Sequence, residues 1–370
     1  MAYRKPNKHP RMGFRLEIRG LKPGRFMIDK HAIQTLTLIL FLWGPLLGAA
    51  NYPTVGSVER LDPRMEQLVP QNAKIEILAE GYVWSEGPVW VAKGNFLLYS
   101  DVPTNKVYKW KEGMGASVYL DPSGYTGKNS RRGESGSNGL VLDAKGNLIL
   151  CQHGDRRVAK MKSLISQPRS DFETLADQFQ DARFNSPNDL VFNQKGELYF
   201  TDPPYGLAQK EKDPQREIDF QGVYLLRKNG KVELVTDELE RPNGIILSPD
   251  EKTLYVANSH GPRPIWMAYD LKPNGLAEKG RVFFDSTSYR RKHPGRQGGN
   301  DGMKVDQQGN LWATGPGGVL IFSPKGEHLG TILTGQRTAN CAFGDDGSTL
   351  YMTADMYLMR IKTSVKGLGF

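Results

Sequence analysis

Six segments of the chain share one order of polar and apolar positions. Each begins with an acidic or amide residue, continues with a short apolar stretch, turns at polar residues that usually include glycine, and ends with a second apolar stretch. Two apolar stretches of strand length joined by such a turn predict a β-hairpin. We name the first position of each segment its lead residue, and the six lead residues are Glu86, Asn138, Asn188, Asn243, Asp301 and Asn340.

The spacing between lead residues predicts the architecture. Successive lead residues are 52, 50, 55, 58 and 39 positions apart, which leaves room for four strands and their loops in each unit. Four-stranded units repeated around an axis form a propeller. We therefore expect an all-β, six-bladed β-propeller with four strands per blade. Only 30 residues follow Asn340, so we expect an N-terminal strand at 74–81 to close the last blade.

The first 50 residues differ from the rest in charge and hydropathy. They hold nine Lys and Arg side chains against Glu17 and Asp29, and residues 32–50 are mostly apolar and end in small residues. This pattern is typical of a secretory signal peptide. We expect cleavage near Ala50, an exported, periplasmic or secreted protein, and no stable membrane association after cleavage. An uncleaved membrane anchor is the alternative, and Met27 is a second candidate start.

This leader sets the expected organisation of the chain and removes one class of partner. We expect a cationic leader at 1–50, a linker at 51–73 and a single propeller domain at 74–370. The leader carries +7 of the formal charge of +9, and the remaining residues hold 40 basic and 38 acidic side chains. The charge therefore gives no support for nucleic-acid binding.

The lead residues are the candidate functional positions. The first strand of each blade in a propeller lines the central channel, so the six lead residues are expected to form a ring at one mouth of that channel. Two carboxylates and four amides offer hard oxygen ligands, which Ca²⁺ prefers, and they offer no Cys or His for a softer metal. The alternative for each Asn or Asp is a local hydrogen bond at the start of a strand.

Six short motifs carry a resemblance to a known family. The phrases SEGPVW, GSNGL, NSPNDLVF with TDPPYG, RPNGI and GGNDGM occur in this order between residues 85 and 303. They resemble the sugar-lactonase family, which includes gluconolactonases, regucalcin (senescence marker protein) and the luciferin-regenerating enzyme, and they are most similar to exported bacterial gluconolactonase-like members. The resemblance implies a divalent cation, usually Ca²⁺, in the channel of a six-bladed propeller. It implies as metal ligands Glu86, Asn188, Asn243 and Asp301.

The resemblance leaves several roles open. Regucalcin-type members have an Arg and a ligand Asn two positions apart, whereas this chain has Arg183, Asn185 and Asn188 in one phrase. Either Asn is a candidate ligand, and we prefer Asn188 because it begins the hairpin. The candidates for substrate contacts are Asn138, Arg183, Asn185, Tyr205 and Asn340.

The candidate catalytic groups are Asp301 and His153. Asp301 is the candidate general base, or a metal ligand only. His153 ends a predicted strand and is a candidate for proton transfer or a substrate contact, the alternative being a structural histidine.

The function that these observations favour is a metal-dependent hydrolase that opens the ring of a sugar lactone. In this mechanism the cation polarises the carbonyl and water attacks it. Ca²⁺ is preferred, with Zn²⁺, Mn²⁺ or Mg²⁺ as alternatives. Two other functions remain open, namely a non-catalytic propeller that binds a protein around a structural ion, and an ester or organophosphate hydrolase at the same site. The sequence has no G-x-S-x-G, P-loop, H-E-x-x-H or EF-hand motif.

Overall fold

The computed structural model describes residues 51–129 and 131–370 of the chain. Its strands form six antiparallel sheets of four or five strands and one two-stranded hairpin, which confirms the all-β, six-bladed propeller. The candidate leader at 1–50, with its cleavage site and its alternative as an anchor, lies outside the described residues. Among those residues no helix has the length and apolar character that a bilayer span requires.

Blades 1 to 3 contain four strands each, ordered from the channel outward. Blade 1 consists of Ser85–Val91, Phe96–Asp101, Lys106–Lys111 and Gly115–Leu120. Blade 2 consists of Ser137–Leu142, Leu148–Gln152, Arg157–Met161 and Phe172–Ala176. Blade 3 consists of Leu190–Phe192, Leu198–Thr201, Val223–Leu226 and Val232–Thr236. The small hairpin before blade 3 pairs Gln178–Phe179 with Ala182–Arg183.

Blades 4 to 6 follow the same order. Blade 4 consists of Pro242–Leu247, Thr253–Asn258, Ile265–Leu271 and Ala277–Asp285. Blade 5 consists of Met303–Val305, Leu311–Gly315, Gly318–Phe322, His328–Leu333 and, outermost, Ser57–Arg60. Blade 6 consists of Thr338–Gly344, Thr349–Ala354, Tyr357–Lys362, Ile75–Glu80 and, outermost, Thr54–Val55. The short helices are Met65–Leu68, Ala92–Gly94, Lys210–Lys212 and Thr287–Lys292.

The predicted linker at 51–73 is wrong, because this segment belongs to the propeller. Ser57–Arg60 pairs antiparallel with the outer strand of blade 5, and Met65 and Leu68 are buried in the cluster between blades 5 and 6. Residues 75–80 in turn pair antiparallel with residues 357–362. The outermost strands, Thr54–Val55 and Ser57–Arg60, are too short and too polar to be identified from their own sequence. They form only by pairing with distant strands.

Within the part of the chain that the structure describes, the hydrophobic core is divided into six clusters, each between two neighbouring blades. The cluster between blades 6 and 1 includes Leu78, Trp90 and Tyr351, and the rings of Trp90 and Tyr351 stack with their centroids 5.5 Å apart. Apolar residues on both faces of each inner strand make this possible, because every blade has a neighbour on either side. The ring of blades is therefore packed without a gap between blades 6 and 1.

Candidate functional site

The lead residues lie where the inner strands leave regular pairing. In blades 1, 2, 4 and 6 the register of the innermost pair of strands shifts at or next to the lead residue. In blades 3 and 5 the lead residue lies two positions before the inner strand. Such irregularities bend a strand and redirect a side chain, and they are common beside functional sites. The lead residues therefore lie where the side chains no longer alternate regularly between the two faces of the strand.

Glycine after the lead residue allows neighbouring inner strands to approach closely. A Cβ atom on Gly244 would lie 2.2 Å from the carbonyl oxygen of Asp301, the lead residue of the next blade. A Cβ atom on Gly302 would lie just as close to the side chain of Asn340. The same position is glycine in four blades, at Gly87, Gly139, Gly244 and Gly302. These contacts bring lead residues of consecutive blades next to one another around the channel.

Hydrogen bonds between blades fix this ring. The Gly139 amide donates to the carbonyl of Asn188 at 2.8 Å. Hydroxyl groups on second strands make similar bonds to the next blade, from Ser100 to the Asn138 carbonyl at 2.9 Å and from Thr201 to the Asn243 carbonyl at 2.8 Å. The lead residues are therefore held by the backbone rather than by flexible loops.

The ring is buried and has unpaired oxygens. Five lead residues are at most 5 % exposed, and only Asp301 is partly exposed. The Oδ1 atoms of Asn138, Asn188 and Asp301 are buried without a hydrogen-bond partner among the described residues. A buried oxygen without a partner costs free energy, so these three atoms are candidate contacts for a ligand.

The carboxyl groups in the channel lie close enough for each to disfavour the charged form of its neighbours. Burial raises the pKa of Asp301 well above its usual value, and the nearby carboxylates of Glu86 and Asp189 raise it further. Burial likewise raises the pKa of Glu86, with a further contribution from Asp189. Burial also raises the pKa of Asp189. The positive charge of Lys304 lowers this pKa but does not cancel the effect of burial. A divalent cation among these groups would offset the repulsion between them.

His153 lies beside the ring between a carboxylate and an amide. Its side chain is fully buried, with Nδ1 3.2 Å from Glu134 Oε2 and Nε2 3.4 Å from Asn188 Nδ2. Glu134 comes from the long loop before blade 2. The structure therefore brings His153 to the channel and places the Glu134 carboxylate close to it, without a hydrogen bond to Nδ1.

Asn340 and Tyr205 also reach the channel. The Nδ2 atom of Asn340 lies 3.5 Å from Asp189 Oδ2. The hydroxyl of Tyr205 forms a hydrogen bond with the hydroxyl of Ser259. Asn243 Nδ2 lies 3.5 Å from the Ser259 hydroxyl oxygen. Tyr205 is therefore connected through Ser259 to a candidate metal ligand.

Asn185 and Arg183 do not join this group. The side chain of Asn185 is buried and donates to the carbonyls of Asp202 and Phe220, while its Oδ1 accepts from Arg216. Asn185 thus has a structural role, whereas Asn188 retains the unpaired oxygen that a ligand needs. Arg183 is exposed and donates to the carbonyl of Asp155 at 2.9 Å. Substrate contacts by Asn185 and Arg183 therefore lack support from the geometry.

Sequence reasoning missed Asp189 and Ser259 and did not connect Glu134 to the site. Asp189 occupies the position where four other blades have glycine, and this exception in the repeat was the available signal. Ser259 follows a strand end, and Glu134 lies in a polar loop, where nothing in the sequence distinguishes a channel residue from a solvated one.

An open cleft of about 500 Å³ adjoins the ring at Asp301. Its other walls come from residues that precede inner strands, from the turn after the second strand of blade 4 and from the connection between blades 4 and 5. The side chains in these walls include Trp84, Ser259, Arg290, Arg296, Gln297 and Arg337. The cleft gives Asp301 access to a molecule of sugar size.

The donor set fits a hard divalent cation that uses amide as well as carboxylate oxygens. Within the described part of the chain, no cluster of three or more His, Cys, Asp or Glu side chains has the geometry of a metal site. A cation in the channel would therefore depend on Asn188 and Asn243 in addition to Glu86 and Asp301. Carboxylate, amide and water oxygens together suit Ca²⁺.

Comparison with known proteins agrees with this architecture. The family model "SMP-30/Gluconolactonase/LRE-like region" matches residues 84–355. The gluconolactonase of Zymomonas mobilis is 40 % identical over 323 residues, which cover 86 % of this chain and 89 % of that protein. Regucalcin of Sus scrofa is 27 % identical over 292 residues, covering 76 % of this chain and 87 % of that protein.

Solved structures show the same fold. A gluconolactonase from Xanthomonas campestris superposes with a TM-score of 0.70 at 27 % identity, covering 85 % of this chain and 99 % of that chain. Both the length of the match to the family model and the 40 % identity extend over most of the propeller. The chain therefore belongs to the SMP-30/gluconolactonase/LRE-like family.

Proposed function

We propose that the protein is a lactonase that opens the ring of a sugar lactone with the help of a divalent cation. The observation that carries the proposal is the ring of unpaired amide and carboxylate oxygens beside an open cleft. The relationship to the Zymomonas mobilis gluconolactonase, at 40 % identity over 86 % of this chain, supports a lactone as the substrate.

The proposed ligands of the cation are Glu86, Asn188, Asn243 and Asp301. Two carboxylates would balance the charge of Ca²⁺, and two amide oxygens with water would complete its coordination. Zn²⁺, Mn²⁺ and Mg²⁺ are the alternative cations, and activity measured with one ion at a time distinguishes them from Ca²⁺. When bound, the cation would supply Lewis acidity toward the lactone carbonyl.

Asp301 is the proposed general base. It is the one lead residue that is partly exposed, and it lines the cleft. Its carboxylate would take a proton from water as the water oxygen bonds to the carbonyl carbon. The ring C–O bond then breaks, and the proton passes to the departing ring oxygen, which becomes a hydroxyl group of the sugar acid.

His153 and Glu134 are proposed to assist from beside the ring. The Asn188 amide nitrogen lies 3.4 Å from Nε2 of His153, and a hydrogen bond from this nitrogen to Nε2 requires the tautomer with its proton on Nδ1. In that arrangement the amide nitrogen of Asn188 is directed to His153 and its oxygen is left for the cation. Asn138, Asn340 and Tyr205 are proposed to contact the substrate or its water.

The test is lactone hydrolysis by protein stripped of metal with a chelator and then given one divalent ion at a time. Proton release would be followed with a panel of aldonolactones. We expect negligible turnover without metal and restored turnover with Ca²⁺. A folded protein that binds Ca²⁺ but hydrolyses none of the lactones would contradict the proposal and favour a binding module or an ester hydrolase.

Export of the protein is a separate proposal, supported by the basic and apolar pattern of residues 1–50. The mature protein is expected to begin near residue 51 and to lie outside the cytoplasm. N-terminal sequencing of protein isolated from the periplasm or medium tests this, and a cytosolic protein that keeps residues before Ala50 would contradict it.

A further inference from the structure

The cleft beside Asp301 has a basic wall. Residues 286–300, which connect blade 4 to blade 5, contain four Lys and Arg side chains and no Asp or Glu. Two of these, Arg290 and Arg296, line the cleft, and Arg337 lines it from the start of the inner strand of blade 6. Three guanidinium groups thus border the cavity that the candidate catalytic carboxylate faces.

Among the described residues, only one of the three arginines forms an ion pair. Arg296 forms a two-pronged ion pair with Glu59, with N···O distances of 2.8 and 2.7 Å. Arg290 donates to the Gly298 carbonyl at 3.4 Å and Arg337 to the Gln297 side chain at 3.1 Å. Throughout residues 51–129 and 131–370, no carboxylate lies within 4.0 Å of Arg290 or Arg337.

Both arginines contact the same short segment of the chain. Arg290 and Arg337 come from different blade connections, yet they bond to consecutive residues, Gly298 and Gln297. A guanidinium offers several donors in one plane, and two of them near one point form a strong site for a carboxylate or phosphate. Their partners are one carbonyl and one amide, which leave donors unused on both side chains.

The channel and the cleft therefore have opposite electrostatic character. The lead residues of the channel offer carboxylate and amide oxygens, which suit a cation, whereas the guanidinium groups that line the cleft favour an anionic group. A substrate with a neutral lactone carbonyl at one end and an anionic group at the other matches both. We propose that the cleft binds a carboxylate or phosphate that the sugar lactone carries away from its reacting carbonyl.

This inference rests on the proposed lactonase function, and the experiment separates the two. The rates to compare are those of glucono-δ-lactone, the same lactone phosphorylated on its terminal carbon, and a lactone of glucaric acid. We expect a lower KM for at least one anionic lactone than for the neutral one. The phosphorylated and the carboxylated substrates distinguish which anion the cleft accepts.

The variants Arg337→Gln and Arg290→Gln test the assigned residues. We expect each to raise KM for the preferred anionic lactone by about tenfold or more, and to change KM for the neutral lactone much less. Arg291→Gln is the matched control. It removes the same charge from the helix that contains Arg290, but Arg291 is exposed and does not line the cleft. Equal KM changes for neutral and anionic lactones would overturn the proposal, as would equal effects of all three variants.

A binding measurement makes the result independent of turnover. Calorimetry with 6-phosphogluconate, glucarate and the neutral alcohol sorbitol is expected to show binding of an anion that Arg337→Gln weakens. If no lactone is hydrolysed but this binding and its loss are observed, the lactonase proposal fails and the anion site stands. If neutral lactone is hydrolysed and neither anion binds better than sorbitol, the anion site fails and the lactonase proposal stands.

Discussion

Asp301 is the lead residue that is partly exposed to the cleft, and like Asn138 and Asn188 it has an oxygen without a hydrogen-bond partner among the described residues. Replacement with asparagine keeps an oxygen for a cation but removes the group that accepts a proton. We expect Asp301→Asn to fold normally and to lose about 100-fold or more in kcat at saturating Ca²⁺. An unchanged kcat in metal-loaded Asp301→Asn would show that Asp301 acts as a ligand only.

Replacement of the buried Glu86 is expected to affect Ca²⁺ affinity and the stability of the metal-free protein in opposite directions. We expect Glu86→Gln to weaken Ca²⁺ binding by about tenfold or more, because one of two anionic ligands is lost. Without metal the variant is expected to be at least as stable as the parent protein near pH 8, since burial disfavours the charged Glu86. Titration calorimetry and thermal unfolding in chelator measure the two effects. Equal Ca²⁺ affinity in both proteins would remove Glu86 from the ligand set.

His328 gives the fold a dependence on acid that is separate from the channel. It packs against Phe322, its Nε2 lies 3.0 Å from the Gly330 carbonyl, and burial lowers its pKa from 6.5 to about 4. The unfolded chain therefore binds a proton at a higher pH than the folded protein does. Its contribution to stability is complete above pH 6.5 and declines as the pH falls toward 4, by on the order of 3 kcal/mol.

The variant His328→Gln tests this contribution, because glutamine can still donate to the Gly330 carbonyl but does not titrate. Urea unfolding at pH 7.5 and pH 4.5 is expected to show a smaller loss of stability for the variant than for the parent protein. Identical losses would show that other groups account for the acid sensitivity.

Single residues also show where prediction from sequence ends. The lead residues could be selected as candidates because they repeat at one place in six similar segments. The choice of Asn188 over Asn185 as a ligand stays a prediction, which their hydrogen bonds support. The roles of Arg183 and Glu134 could not be predicted, since each depends on where a loop places a side chain. Repetition identifies positions on strands, whereas loop contacts are set by tertiary packing.

At the scale of elements, the close approach of neighbouring inner strands makes a specific demand on Gly244. An added Cβ would meet the backbone oxygen of Asp301 at 2.2 Å, and a backbone atom in a packed sheet has little freedom to move. We expect Gly244→Ala to lower stability by about 1–3 kcal/mol and to reduce Ca²⁺ affinity by displacing Asp301.

Gly295→Ala is the control for this prediction, because no atom lies within 4 Å of a Cβ at that position. Denaturant unfolding and Ca²⁺ titration of both variants provide the measurement. Similar stabilities for Gly244→Ala and Gly295→Ala would mean that the inner strands separate easily, and that their contact does not fix the ring.

The blades themselves were predictable from the sequence, whereas the two outermost strands were not. Each blade contains its own hairpins, and the alternation of apolar stretches and turns is local. Thr54–Val55 and Ser57–Arg60 are two and four residues long, too short for a periodic signal. They are strands only because Ile75–Glu80 and the outer strand of blade 5 offer them an edge.

At the scale of the whole molecule, the N-terminal segment joins blades 5 and 6. It pairs with both sheets, its residue Glu59 holds Arg296 beside the cleft, and Met65 is buried between the two blades. We expect a protein that lacks residues 51–80 to lose cooperative unfolding and to expose apolar surface. Calorimetry and dye binding measure this, and a single sharp transition like that of the protein beginning at residue 51 would contradict it.

The pairing of residues 75–80 with residues 357–362 has a consequence for how the chain is made. The pair Glu80 and Tyr357 is separated by 277 positions (357 minus 80), so the earlier strand waits while nearly all of the propeller is synthesised. At about 5–20 residues per second this delay is roughly 15–55 s. Throughout that time its edge is available to wrong partners, and a nascent chain that stops before residue 357 never covers it. Ring closure is thus a late, non-local event that distinguishes a finished chain from a truncated one.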